Sequence, residues 1–150
     1  MAGRNLTAAN ATIFITAPDV FGGPVQLQGF SSDNVYDMAD IEPVETAMGV
    51  DGVLSGGYTP KPIPQGFMIQ ADSLSVDFFE AIQSWQAQNL GVETLSGTTL
   101  LLGPHKLYTM PKGFLTGHSP APSAHKILQP RKFTITWERV NPAPAPNLVA

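Results

Sequence analysis

Three histidines, His105, His118 and His125, are the residues in this 150-residue chain best suited to acid-base or metal chemistry near neutral pH. None belongs to an HExxH pattern or to a His/Cys pair with metal-ligand spacing. Gly117-His118-Ser119-Pro120-Ala121 has the outline of a nucleophile elbow. It fails on mechanism, because the residue after the serine must donate its backbone N–H to an oxyanion and Pro120 has none. The chain has no cysteine, which removes disulfides, thiolate ligands and cysteine nucleophiles together. No GK[ST] tripeptide occurs, and Gly49, Gly52, Gly56 and Gly57 do not follow the GxGxxG spacing of a phosphate-binding loop. The expectation is a chain that is not an enzyme, with no catalytic residue, no metal ligand set and no cofactor.

Charge is the next clue. Residues 1 to 60 hold seven carboxylates and one base, Arg4, whereas residues 61 to 150 hold five acids and seven bases, a balance of −6 against +2. Asp33, Asp37, Asp40, Glu42, Glu45 and Asp51 form a run without Lys or Arg, and its first 13 residues lack the central glycine of a calcium-binding loop. A paired-carboxylate glycosidase depends on spatial separation, but no sugar-binding aromatic platform accompanies these acids. Lys126, Arg131, Lys132 and Arg139 are too sparse, in a chain of net charge −4, for a dedicated nucleic-acid binder. Only 13% of residues are charged, against roughly 25% in ordinary soluble domains. Such a surface is expected to be covered by partners.

The elements that hold these residues read mainly as strands. "ATIFIT" (11–16) and "VQLQGF" (25–30) are strands joined by the turn chemistry of "APDVFGGP", and "NVYDMADI" (34–41) is a third, more polar one. "GFMIQA" (66–71) precedes a helix predicted from Ser75, its N-terminal cap, to Leu90, with Gly91 ending it. Phe78, Ile82 and Trp85 give that helix its core stripe. "VETLS" and "TTLLLG" flank Ser96-Gly97, "HKLYTM" and "GFLTG" flank Pro111-Lys112, and "KFTITWERV" alternates with a period of two. One domain over 1–150 is expected, mainly β with an α+β character: a β-sandwich or partly closed β-barrel with one flanking α-helix. The tail 141–150 reads as extended and Pro-rich, and "GVDGVLSGGYTPKPIPQGF" (49–67) as a long irregular segment that needs a purpose. No apolar run has signal-peptide or membrane-span length, so a soluble protein made in a cytoplasm is expected.

"GVDGVLSGGYTPKPIPQGFMIQADSLSVDFFEAIQSW", followed later by "ILQPRKFTITWERVNPAPAP", resembles small structural proteins of contractile-tailed bacteriophages, and tail tube proteins in particular. The similarity runs from about residue 20 to 146 and is one of pattern, without a diagnostic motif. It implies hexameric rings stacked into a hollow virion tail tube, through which DNA passes without specific binding. Its implied partners are copies of itself, the tail sheath, a baseplate or initiator protein and the tape-measure protein, with no membrane contact. By position the assembly loop would be 46–65, with Val53, Leu54, Tyr58, Pro60, Lys61, Pro62 and Pro64 as inter-subunit candidates. For a DNA conduit, carboxylates and hydroxyls along the bore avoid binding phosphates, so Asp33, Asp37, Asp40, Glu42, Glu45, Thr134 and Thr136 are the lumen-facing candidates. Three alternatives stand beside this one: a tube initiator or baseplate ring of the same fold, a carbohydrate-binding or adhesin module using Tyr58, Trp85 or Trp137, and a secreted effector-like tube homologue.

Overall fold

A computed structural model describes residues 11–30, 35–101 and 103–144. "ATIFIT" forms β1 (Ala11–Thr16), whose β-branched Ile13 and Ile15 point inward while Phe14 points out. The turn after it leads to the short β2 (Val25–Gln26), paired antiparallel to β1. The next strands are β3 (Tyr36–Met38), β4 (Val44–Met48), β5 (Leu54–Tyr58) and β6 (Ile63–Ile69). Helix α1 (Ser75–Asn89) follows, and then β7 (Leu95–Leu101), β8 (Lys106–His118), β9 (Arg131–Trp137) and β10 (Asn141–Pro144).

Eight strands make one antiparallel sheet in the order β2-β1-β7-β8-β9-β6-β3, with β10 added alongside the first half of β8. The sheet is not a closed barrel: β2 and β3 are its free margins, and it curves into a sandwich with α1 packed on it. The expected fold class is thus the observed one.

The core lies between the concave face of this sheet and the helix. Phe67 and Ile69 from β6, Phe133, Ile135 and Trp137 from β9, and Phe78, Phe79 and Ile82 from α1 are all buried there. Phe79 stacks on Phe133 with ring centroids 4.4 Å apart, which locks helix to sheet. The Trp137 indole N–H donates to Gln65 Oε1 at 2.8 Å, satisfying its polar edge inside the core. A Cβ on Gly97 would lie 2.8 Å from the Trp137 ring, so the glycine is what lets β7 pass over the indole.

Arg131 fastens the helix electrostatically. It is 2% exposed, and its guanidinium donates to Glu80 Oε1 of α1 at 2.5 Å and to the Ser119 carbonyl at 2.6 Å. The same group lies over the Phe133 ring.

Several elements differ from the sequence expectation. Ser96-Gly97 and Pro111-Lys112 are not turns; β7 and β8 run straight through them, and the two meet at a bulge where the register shifts between Leu95 and Gly97. Pro111 is tolerated there because a bulge leaves a backbone N–H without a ladder partner. The helix is not capped by Ser75, whose buried hydroxyl instead accepts the Gln28 N–H at 2.7 Å; Ser73 Oγ accepts the Ser75 N–H. Leu90 rather than Gly91 takes the left-handed conformation that ends it, at φ 50°. The strand expected over 25–30 keeps only two ladder residues and a bridge at Phe30, and the Pro-rich tail supplies β10.

Candidate assembly site

The segment expected to be irregular, 49–67, instead holds the tip and second strand of a β-hairpin, a connector and the first residues of β6. Among the described residues β4 and β5 pair with each other and with no other strand, in the register Val44 opposite Tyr58, Thr46 opposite Gly56 and Met48 opposite Leu54. Its tip is built by short-range chemistry. Gly52 adopts φ 82°, the Asp51 carboxylate accepts the Val53 N–H at 3.1 Å, and the Gly49 N–H donates to the Val53 carbonyl at 2.9 Å. At its root the Thr59 N–H donates to the Pro43 carbonyl, and Lys61 lies 3.8 Å from Glu45. Both members of that ion pair are well exposed, so it adds little stability.

Period-two alternation gives the hairpin two unlike faces. Val44, Thr46, Met48, Leu54, Gly56 and Tyr58 share one face, and Glu45, Ala47, Ser55 and Gly57 share the other. The first face is apolar, yet Val44 is 55%, Met48 66%, Leu54 60% and Tyr58 74% exposed. A two-stranded hairpin is marginally stable alone in water, and an apolar face of this size is normally covered. Val53 extends the apolar surface to the tip. Pro60, Lys61 and Pro62 form the connector to the main sheet, and Pro64 lies inside β6, paired with Thr136. The 46–65 segment therefore divides into a hairpin, a connector and the first residues of β6.

The lumen-facing candidates fall into two groups. Asp37, Gly66, Thr134 and Gly117 are aligned across β3, β6, β9 and β8, which puts Asp37 and Thr134 on the same convex face, away from the helix. Thr136 is two residues from Thr134 on that face, and its hydroxyl is 2.8 Å from that of Thr116. Asp40 and Glu42 lie in the connector between β3 and β4, Glu45 is on the hairpin's polar face, and Asp33 lies outside the described residues. Lys132 shares the convex face with Thr134 and reaches over Gly66, where a Cβ would lie 3.8 Å from its Nζ. This face therefore combines hydroxyls with both signs of charge. From the sequence, Lys132 is counted only in the sparse basic group and not placed on this face, although it alternates in step with Thr134 and Thr136.

Lys61, an inter-subunit candidate, is engaged within the chain with Glu45, and Arg131 of the sparse basic group is engaged with Glu80. Of the candidate aromatic platforms, Trp137 is fully buried and Trp85 half-buried, which leaves Tyr58 alone exposed. Ser119 uses its carbonyl to receive Arg131.

A β-sandwich that carries an outlying hairpin with an exposed apolar face presents a surface of the kind that partners cover. Residues 4–141 match the family model described as tail fiber protein gp32, and the chain belongs to that family. Its fold is shared with components of contractile injection systems. A chain of the PVC sheath-tube complex in the extended state superposes with a TM-score of 0.63 at 11% identity, over 94% of this chain and 93% of that one. A chain of the anti-feeding prophage tube-terminating cap gives 0.55 at 11% identity, over 97% and 95%. One from the anti-feeding prophage baseplate gives 0.55 at 9% identity, over 96% and 98%. No curated protein sequence matches the chain. The resemblance carried by the sequence thus holds at the level of a tail-associated structural protein, and the tube is a narrower assignment.

Proposed function

We propose that the protein is the repeating subunit of a tail tube, assembled as hexameric rings that stack into a conduit for DNA. The observation that carries this reading is the hairpin over 44–58, whose apolar face is left exposed by the described residues. A surface of that kind on one subunit, received by a different surface on the next, makes a head-to-tail contact; closed it gives a ring, and unclosed a helical stack. The convex sheet face with Thr116, Thr134 and Thr136 suits a bore wall, since neutral hydroxyls do not hold phosphates. Lys132 on that face is compatible only if a nearby carboxylate balances it, and Asp37 two strands away has the right sign. In the virion tail the remaining partners would be sheath, baseplate and tape-measure proteins.

A ring at the baseplate is the second reading, favoured by the likeness to a baseplate chain. Copy number per particle separates the two, because a tube contains many rings and an initiating ring occurs once. The test of the shared proposal is sedimentation velocity and negative-stain microscopy of the purified chain over a concentration series. Six-fold rings or tubes with a central hole are expected. Monomers at every concentration, with or without purified baseplate as a starting template, would overturn it.

A further inference from the structure

Where the free margin β3 curves round to face the ends of β7 and β8, the sandwich leaves an open groove of about 430 Å³. Met38 and Ile41 line it from the β3 side, and Leu101, Tyr108 and Val140 from the other, with no charged side chain among its lining residues. Thr99 also lines it; this residue is 1% exposed, and its hydroxyl has no hydrogen-bond partner. A buried hydroxyl is costly to leave unpaired, and one bordering a groove can be satisfied by whatever enters.

Among the described residues, this groove and the apolar face of the hairpin are both left open. They are neighbours in sequence, since the groove's Ile41 precedes the hairpin's Val44 by three residues. The hairpin does not fold back into its own groove, because every residue from 44 to 58 is exposed. Building on the assembly reading above, we infer that the groove of one copy receives the apolar face of the hairpin of a second copy, with the Thr99 hydroxyl donating to an acceptor on that hairpin. Each copy that gives its hairpin keeps an empty groove, so the contact propagates from subunit to subunit. A second groove, lined by Ala71, Asp72, Ile127 and Leu128, is the poorer fit. It presents the Asp72 carboxylate to a hairpin that itself carries Glu45 and Asp51.

The cysteine-free chain makes the test clean. Leu54→Cys protein is mixed separately with Ile41→Cys and with Leu128→Cys protein, and treated with a short bis-maleimide crosslinker after assembly is confirmed by sedimentation. A covalent dimer from the Ile41→Cys mixture alone is expected. A dimer from the Leu128→Cys mixture alone, in samples that assemble, would overturn the groove assignment while leaving self-assembly intact. Failure of the unmodified chain to assemble at all would overturn both. As a second measurement, Thr99→Val removes the unpaired hydroxyl at nearly constant shape. It should raise the melting temperature of the isolated subunit and weaken assembly about fivefold, the loss of one hydrogen bond. Unchanged assembly would overturn the role given to Thr99.

Discussion

Serine in place of both Met48 and Leu54 removes the outer half of the hairpin's apolar face and touches nothing else, because the two residues oppose each other on β4 and β5 and lie outside the core. Full burial of a Met or Leu side chain contributes about 1.5–3 kcal/mol. With 66% and 60% of these residues still exposed, docking has about 1–2 kcal/mol to gain at each, or about 2–4 kcal/mol for the pair. At 1.4 kcal/mol per decade, the double variant should need a subunit concentration about 30-fold to 1000-fold higher to assemble. Its melting temperature as a monomer should match the parent, as for other surface substitutions. The control exchanges residues on the opposite face, Ala47→Ser with Ser55→Ala, and should assemble within about threefold of the parent, because neither change alters much apolar area. Sedimentation velocity over a dilution series measures both. The reasoning fails if the double serine variant assembles like the parent, or if the control is the one that disrupts.

Three further predictions concern the scaffold. Glu80→Gln should destabilise the monomer by about 2–3 kcal/mol, below the usual loss for a broken buried pair because Glu80 is itself half exposed. Arg131→Met, which removes the buried charge as well, should cost less; urea unfolding of both variants gives the ordering. Glu93 is 1% exposed with one carboxylate oxygen unpartnered, and burial, reinforced by the Asp19 carboxylate, holds its pKa above the ordinary value. The stability contributed by its neutral form is complete below the unfolded-state pKa and lost as pH rises through the folded one. Glu93→Gln should therefore raise the melting temperature at pH 7.5, with the gain shrinking towards pH 4, as followed by thermal scans at several pH values. Gly113→Ala would drive a Cβ into the Trp137 ring and should cost about 1–3 kcal/mol or more, which denaturant unfolding would detect.

The sandwich was legible where local and tertiary preferences agree. β1, α1 and β9 announce themselves by period, since Ile13 and Ile15, Phe78 and Ile82, and Phe133, Ile135 and Trp137 each recur on one face. β7 and β8 were cut in two because Gly97 and Pro111 carry turn chemistry. Their reason for being there is tertiary: one clears the Trp137 indole, and the other occupies a bulge. The hairpin was hidden by the low strand propensity of Ser55-Gly56-Gly57 and by the three prolines that follow, although Asp51-Gly52 is a turn pair of the hairpin kind. Once β4 and β5 are paired, the alternation of Val44, Met48, Leu54 and Tyr58 is plain. The groove could not be read from the chain, because Met38, the Thr99–Tyr108 pair of β7 and β8, and Val140 come from three distant segments.

The solitary pairing of β4 with β5 bears on timing as well as on contact. A free-standing two-stranded ribbon must surrender conformational freedom when it seats, so the earliest encounters between subunits are poorly rewarded. In the assembly proposed above, a growing end that already presents a seated neighbour would offer later arrivals a fixed partner, and growth would show a lag followed by faster elongation.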